Sequence, residues 1–507
     1  MSILNLKDIE NVALNFEKVH TRSEDRDHLQ ESFQFLEDFS KDKIIYGINT
    51  GFGPMAQFKI APEKLNQLQY NLIRSHSSGT GLALDEIHAR AVMQARMNNF
   101  AQGNSGISFG VVEKIAEFLN ARITPEIFEH GGVGASGDLV QLAHLALCLI
   151  GEGYVYYQGE RRPTHDVLKQ LNIKPLEVKL RDGLGLMNGT SCMTGIGAVN
   201  LVYAERLLFW SLASSCMINE VVESYDDSFS NGLNQVKRHK GQTEVAQFMR
   251  DFLKDSNLIK KREELFKNHQ DEDETELKKK VQEYYSIRCV PQIIGPVLDT
   301  INQAKEVVEN ELNSTNDNPV VSVEEQNVFH GGNFHGDYIS LEMDKLKLVI
   351  TRLTMLAERQ LNFLLNNRIN GLFPPFLNAG TLGFNFGIQG MQFTATSTTA
   401  ENQMLSNSMY VHSISNNNDN QDIVSMGTNS ALITKRVIDN AFQVMAIHLI
   451  AVCQTIDLLP NEKKNLISKK SKEIYNLIRS EVAMVTEDVP PFESIQKVIQ
   501  ILKNKAV

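Results

Sequence analysis

The chain has 507 residues, enough for roughly two or three domains of ordinary size. Its 50 basic and 61 acidic residues give a net charge of −11, which argues against a nucleic-acid partner, because that requires a basic face. Hydrophobic residues make up 42% of the chain, enough for a large core.

The N-terminus, Met1-Ser-Ile-Leu-Asn-Leu-Lys-Asp, has no apolar signal core. No run reaches ~18 apolar residues, so no membrane span is expected. Tyr46-Gly47-Ile48-Asn49-Thr50-Gly51-Phe52-Gly53 is a Gly-punctuated loop presenting a Tyr. Residues 123–130 carry a Pro and three ionisable groups, which does not suit a central strand. Residues 131–138, Gly-Gly-Val-Gly-Ala-Ser-Gly-Asp, form a second loop with almost no side-chain bulk. A helix over 139–150 follows, with Asp138 placed to cap it. Tyr154-Val155-Tyr156-Tyr157 reads as a short strand, and Leu186-Met187-Asn188-Gly189-Thr190 as a small-residue turn with an amide.

Helical periodicity dominates the chain. Residues 196–225, 292–312, 339–366 and 430–459 are long and helix-favouring. In 339–366, Leu346, Val349, Ile350, Leu353, Leu356, Leu361 and Leu364 share one stripe, with Lys345, Lys347, Arg352 and Arg359 off it. The dense charge run 260–280 reads as a solvated helix or loop. Gln282, Tyr285 and Arg288 fall at i, i+3 and i+6 of a helical start. Asn316-Asp317-Asn318-Pro319 and Gly331-Gly332-Asn333-Phe334-His335-Gly336 are turns, and Val320-Val321-Ser322-Val323 is a short strand. The amide-rich 416–422 sits between strong helical segments and reads as an ordered polar turn. The expected fold is mainly α, a long-helix bundle. Its domains are expected at 1–190, carrying the Gly-rich loop, 191–460, the central bundle, and 461–507, a helical tail. The five cysteines lack any C-x-x-C pattern, as expected of reduced thiols in the cytoplasm.

The centre of interest is Ala135-Ser136-Gly137. Small residues tolerate the backbone bend that brings the Gly137 nitrogen onto the Ala135 carbonyl carbon. Ring closure with loss of two waters would turn the tripeptide into 4-methylidene-imidazol-5-one, a carbon electrophile that ordinary side chains do not provide. Two other readings stand beside this one. Gly132 to Gly137 matches the dinucleotide pattern G-x-G-x-x-G, which needs a preceding buried strand, and a plain Gly-rich turn before a helix is the third.

Taken together, Tyr-Gly-Ile-Asn-Thr-Gly-Phe-Gly, Gly-Ala-Ser-Gly-Asp, Asn-Gly-Thr, Tyr-Ser-Ile-Arg-Cys, Asn-Asp-Asn-Pro and Gly-Gly-Asn-Phe-His-Gly resemble, in that order, the aromatic amino acid ammonia-lyases and their aminomutase relatives. The resemblance runs from about residue 40 to about 460 and is nearest to bacterial tyrosine ammonia-lyases. It implies the fumarase/aspartase-like helical architecture and a cytoplasmic homotetramer with shared active sites. It implies the methylidene-imidazolone as the prosthetic group, with no metal, no diffusible cofactor, no nucleic acid and no membrane. Tyr46 matches the family's catalytic base. A phenol is mostly protonated at neutral pH, and helix N-termini aimed at the site would favour its ionised form. Arg288 matches the fork on the substrate carboxylate, and Asn318 matches a second contact to it. Asn188, Gln282 and Tyr285 match positions that orient the electrophile and the amine, and Phe334 one that walls the electrophile. Ser75-His76 occupies the selectivity pair, with His76 expected to pair a substrate phenol. Gln421, between Asn420 and Asp422, stands where histidine ammonia-lyases are expected to carry Glu. Gln389 lies where a pocket-lining residue varies between subfamilies. The implied reaction is loss of ammonia from L-tyrosine to trans-p-coumarate. Histidine ammonia-lyase, phenylalanine ammonia-lyase and aminomutase are the alternatives.

Overall fold

A computed structural model of the chain describes residues 3–266 and 280–504. Most of the charge run at 260–280 therefore lies outside the described residues. The chain clusters into two compact units, each built from three segments: 1–202, 304–345 and 408–435 in the first, 203–303, 346–407 and 436–507 in the second. The division falls inside four long helices, Ser191–Val221, Val290–Leu312, Asp337–Leu365 and Gly427–Leu458. These are the four segments that periodicity marks as long helices.

In the first unit, helices Leu65–His76, Leu139–Leu149 and Asp182–Met187 pack on one another, and Glu86–Ala101 packs on Phe109–Asn120. Glu86–Ala101 buries Ala, Met, Val and Phe all round its circumference, so its buried Arg90 and Arg96 must find partners inside the fold. The strands are short and antiparallel. Thr80–Ala83 pairs with Phe128–His130, and Tyr154–Tyr157 lies between Thr124–Pro125 and Glu160–Pro163. Residues 123–130 do contribute these two short strands, but each pairs antiparallel and holds only two or three residues. Neither is the buried parallel strand that a dinucleotide loop requires. Val320–Ser322 pairs with Asn327–Phe329. Val321 and Val328 join Leu36, Ile45 and Ile48 in a small core of their own.

In the second unit, the Trp210 indole donates to the Leu502 carbonyl at 3.1 Å, and Phe209 stands edge-on to Trp210 and Phe248. The buried Glu220 carboxylate accepts from the Ser468 backbone at 2.6 Å and from the Ser471 hydroxyl, which seats the start of helix Lys469–Arg479. On Asp337–Leu365 the apolar stripe is buried except for half-buried Val349, and so is Lys347, which the periodicity places off it. The helices Ser191–Val221 and Gly427–Leu458 are long and apolar enough to cross a membrane by composition. Their most apolar windows are 89% and 83% buried within the protein, as in core helices.

Candidate active site

The Gly-rich loop is held from three sides. The Gly134 carbonyl accepts from the Ser425 hydroxyl at 2.8 Å and from the Gly336 amide at 3.1 Å. The Val133 carbonyl accepts from the Met426 amide at 3.0 Å. Asp138 N donates to the Gly189 carbonyl at 2.8 Å. Gly137 has φ +73°, and a Cβ there would lie 2.1 Å from the Gly189 oxygen, so only glycine fits. Gly134, at φ +72°, is equally closed by the Ser425 hydroxyl. Asp138 is the residue just before helix Leu139–Leu149, yet its side chain makes no capping bond. It accepts instead from the Met193 amide at 2.9 Å and from the Thr428 hydroxyl, so long-range partners override the local cap. Burial pushes its carboxyl up to about 6, with the Thr428 bond opposing.

Asn188 meets this loop directly. Its Oδ1 accepts from the Asn318 backbone amide at 2.7 Å, and an N–H can only donate, so the Asn188 NH2 must face the other way. There it donates to the Ser136 carbonyl at 2.9 Å. On the other side, the Gln421 amide donates to the Ser136 hydroxyl at 2.9 Å. These contacts fit the ring that the tripeptide could form. Closure joins the Gly137 nitrogen to the Ala135 carbonyl carbon and expels that carbonyl oxygen as water. The Ser136 hydroxyl and its Cα hydrogen leave as the second water. Asn188 therefore holds the oxygen that would stay, and Gln421 the oxygen that would leave. The buried Ala135 side chain and the glycine-only conformation of Gly137 suit the same bend.

Tyr46 rides on a loop anchored by Ile45 and Ile48, each 2% exposed. Its hydroxyl accepts from the Gly53 amide at 3.0 Å, and its ring stands edge-on to Phe52. The Gly47 carbonyl accepts from Gln69, whose Oε1 takes the Leu184 amide at 2.9 Å. The Tyr46 loop thus rests on the short helix that ends at Asn188. Gly53 also closes on the amide-rich turn, where a Cβ would stand 3.0 Å from Asn417 Nδ2. In that turn Asn417, Asn418 and Asp419 all have φ between +53° and +56°. Three successive left-handed non-glycine residues are rare, and Asn and Asp are the residues that tolerate them. Asn416 and Gln421 close the turn by mutual backbone bonds of 3.2 and 3.3 Å, and Asn420 N donates to the Asn417 carbonyl. The Asn420 side chain is exposed, and Gln421 is the residue the turn delivers to Ser136.

Ser75 and His76 close helix Leu65–His76. His76 Nδ1 lies 3.0 Å from the Leu72 carbonyl, which can only accept, so Nδ1 carries the proton. The Ser75 hydroxyl donates to the same carbonyl at 3.1 Å. With Nδ1 engaged, Nε2 is the ring nitrogen left for another partner. Asn318 Oδ1 takes the Gly331 amide at 2.8 Å. Half-buried Phe334 stands two residues before Gly336, whose amide binds Gly134.

The structure thus brings Tyr46, Asn188, Asn318, Gln421 and the tripeptide into one connected set of contacts in the first unit, which also holds Phe334, Ser75, His76 and Asn420. Gln282, Tyr285, Arg288 and Gln389 belong to the second unit. The helix Tyr285–Arg288 has only four residues, and Gln282 precedes it in a bend, not on the helical face that its spacing suggests. Gln282, Tyr285 and Arg288 nevertheless line one cavity of about 740 Å³. The Arg288 guanidinium stands 4.8 Å from the Tyr285 ring centre, and its Nε is buried without a hydrogen-bond partner among the described residues. Gln389 is the half-buried first residue of helix Gln389–Leu405.

Two supports were not legible in the sequence. Fully buried Arg96 donates to the Asn188 carbonyl at 2.6 Å, to Asn316 Oδ1 at 3.0 Å and to the Gly185 carbonyl. Burial pulls its guanidinium down to about 10. Asn316 in turn donates to the Thr190 hydroxyl at 2.7 Å, and Thr190 donates to Glu311. Buried Arg181 pairs with Asp317 at 3.2 Å and donates to the Asn318 carbonyl at 3.0 Å. The sequence around a buried Arg carries no signal of which carbonyl it will meet.

The family model for aromatic amino acid lyases matches residues 4–480. Tyrosine 2,3-aminomutase of Chondromyces crocatus is 39% identical over 459 residues, 90% of this chain and 86% of that protein. Histidine ammonia-lyase of Staphylococcus aureus is 35% identical over 504 residues, covering 99% of this chain and 96% of that one. The crystal structure of tyrosine aminomutase from Streptomyces globisporus matches with a TM-score of 0.95 at 34% identity, over 99% of this chain and 95% of that chain.

Proposed function

The chain belongs to the aromatic amino acid lyases, and on that premise we propose that this enzyme eliminates ammonia from L-tyrosine to give trans-p-coumarate. The observation that carries the substrate choice is the pair His76 and Gln421. His76 leaves Nε2 for a phenol hydroxyl, and Gln421 puts a neutral amide, not a carboxylate, beside Ser136.

A methylidene-imidazolone made from residues 135–137 supplies a carbon electrophile for the substrate amine. Arg288 forks onto the substrate carboxylate, a pairing for which the guanidinium plane is suited, with Asn318 as a second contact. Gln282, Tyr285 and Asn188 orient the amine, and Phe334, Gln389 and Asn420 shape the surroundings. Tyr46 removes the β-hydrogen. Its hydroxyl accepts the Gly53 amide at 3.0 Å, which holds the oxygen in place. The assembly is a cytoplasmic homotetramer with shared active sites. Exposed Phe384, Phe386 and Phe393 offer apolar surface for another copy to cover.

The test offers L-tyrosine, L-histidine and L-phenylalanine separately and follows p-coumarate, urocanate and cinnamate. Dominant p-coumarate is expected. Dominant urocanate would replace the substrate and make this a histidine ammonia-lyase. A second reading, a tyrosine 2,3-aminomutase, is favoured by the 39% identity to the Chondromyces protein of that name. Chromatography of the tyrosine reaction for β-tyrosine separates the two.

A further inference from the structure

We propose that His144 is a positioning residue that sets the place of His76 and, through it, the preference for a hydroxylated aromatic ring. This rests on the reading of His76 as the partner of the substrate phenol.

His76 is the last residue of its helix, and the chain turns sharply behind it. Ser77 sits at φ −76°, ψ 61°, with its amide and hydroxyl on the Ile73 carbonyl at 3.1 and 2.8 Å. Ser78 N then donates to the His76 carbonyl at 2.8 Å. The next donor is Gly79 N, and it goes to a side chain, His144 Nε2, at 3.0 Å. The turn is closed around that bond. A Cβ at Gly79 would lie 3.0 Å from His144 Nε2, 3.1 Å from Phe128 Cβ and 3.2 Å from the His130 carbonyl.

A backbone N–H can only donate, so His144 Nε2 presents its lone pair and the ring is neutral with its proton on Nδ1. The surroundings agree. The ring is buried, stands edge-on to Phe128 at 5.0 Å, and burial lowers its affinity for a second proton, with Glu126 opposing. His76 is joined to this turn through its own carbonyl, which takes the Ser78 amide at 2.8 Å, and its Nδ1 is tied to the Leu72 carbonyl of its helix.

His144 also lies on Leu139–Leu149, the helix that begins directly after the tripeptide and Asp138. His144 lies six positions beyond Asp138, about 9 Å along the axis. One rigid element therefore runs from the reacting centre to the turn that carries the ring-recognising histidine. It fixes the spacing between the amine-reacting end of the site and the phenol end. This role accounts for one of the two polar residues, Gln141 and His144, buried on a mainly apolar helix.

The test measures kcat and KM on L-tyrosine and L-phenylalanine for the full-length enzyme, His144→Leu, His144→Gln, His76→Phe and the double variant His76→Phe/His144→Leu. Intact mass confirms in each that residues 135–137 have matured. His144→Leu should lower the tyrosine-over-phenylalanine ratio of kcat/KM by about 10- to 100-fold, mainly through KM for tyrosine. Its kcat on phenylalanine should stay within about 3-fold of the parent, since that ring has no hydroxyl to place. His144→Gln, whose amide oxygen reaches the same point, should restore the ratio. In the His76→Phe background, His144→Leu should change the ratio no further, because the two act through one contact. Should the Leu variant not fold, His144→Asn, whose acceptor is too short to reach Gly79, is read in the same way. If His76→Phe shifts the ratio but His144→Leu does not, or if His144→Leu depresses both substrates equally, the positioning role is overturned while the reading of His76 stands. If His76→Phe leaves the ratio unmoved, the reading of His76 fails and the role of His144 fails with it.

Discussion

Gln421 donates to the Ser136 hydroxyl at 2.9 Å across 285 residues of chain. It gets there on a left-handed turn of Asn417, Asn418 and Asp419 whose backbone few other residues would accept. A neutral amide at this point is what separates the tyrosine reading from the histidine one. Gln421→Glu should raise kcat/KM on L-histidine relative to L-tyrosine by about 10-fold or more, because a carboxylate favours a cationic imidazole and not a phenol. Assays of urocanate and p-coumarate check this. An unchanged ratio would remove Gln421 from the selectivity argument.

Gly137→Ala tests the backbone of the tripeptide. The new Cβ would meet the Gly189 carbonyl at 2.1 Å, in a conformation that L-residues rarely adopt. The variant should be at least about 1 kcal/mol less stable and should keep its two waters. Denaturant midpoints and intact mass report the two effects separately, and a matured, fully stable variant would contradict the geometry.

Tyr46→Phe removes one bond, from the Gly53 amide, so stability should change by only about 1 kcal/mol. Elimination should fall by about 100-fold to 10,000-fold if Tyr46 is the general base. Maturation should be untouched. Retention of most of kcat in a matured variant would assign the base elsewhere.

Arg288→Lys keeps the charge and loses the fork. Arg288 lines one cavity with Gln282 and Tyr285, and a planar guanidinium can make a two-point contact to a carboxylate that an ammonium cannot. kcat/KM on tyrosine should fall by at least about 10-fold, with KM rising. An unaffected KM would exclude Arg288 from carboxylate binding.

His448 is fully buried on Gly427–Leu458, and neither ring nitrogen has a hydrogen-bond partner among the described residues. Burial pulls its pKa down to about 3, below the 6.5 of a free side chain. The unfolded chain therefore binds the proton first as pH falls. This group's effect on stability is neutral above the unfolded value and becomes a loss between 6.5 and about 3. Between pH 7 and pH 5 the loss is about 2 kcal/mol. His448→Leu should show a correspondingly smaller drop in denaturant midpoint over that range, and an identical drop would contradict the account.

Much of this was legible because long helices announce themselves. Leu346, Ile350, Leu353, Leu361 and Leu364 fall at helical spacing and are all buried. The bend at the tripeptide was legible because its residues lack bulk, and Gly137 takes φ +73° where only glycine fits. What local sequence could not carry is partner choice at long range. Asp138 stands where a capping residue belongs, but Thr428, 290 residues away, takes its carboxylate. Gln282 and Arg288 have the spacing of a helical face, but the helix starts only at Tyr285. Nothing in the sequence around Arg96 and His144 shows that one holds the Asn188 carbonyl and the other the Gly79 amide.

The central claim is that Ala135, Ser136 and Gly137 close into the enzyme's own electrophile, and intact mass spectrometry of the full chain tests it most directly. The account predicts that the protein is lighter than its sequence by the mass of two waters, and that Ser136→Ala abolishes both the deficit and the activity. A wild-type protein at its full sequence mass that still eliminates ammonia would contradict it.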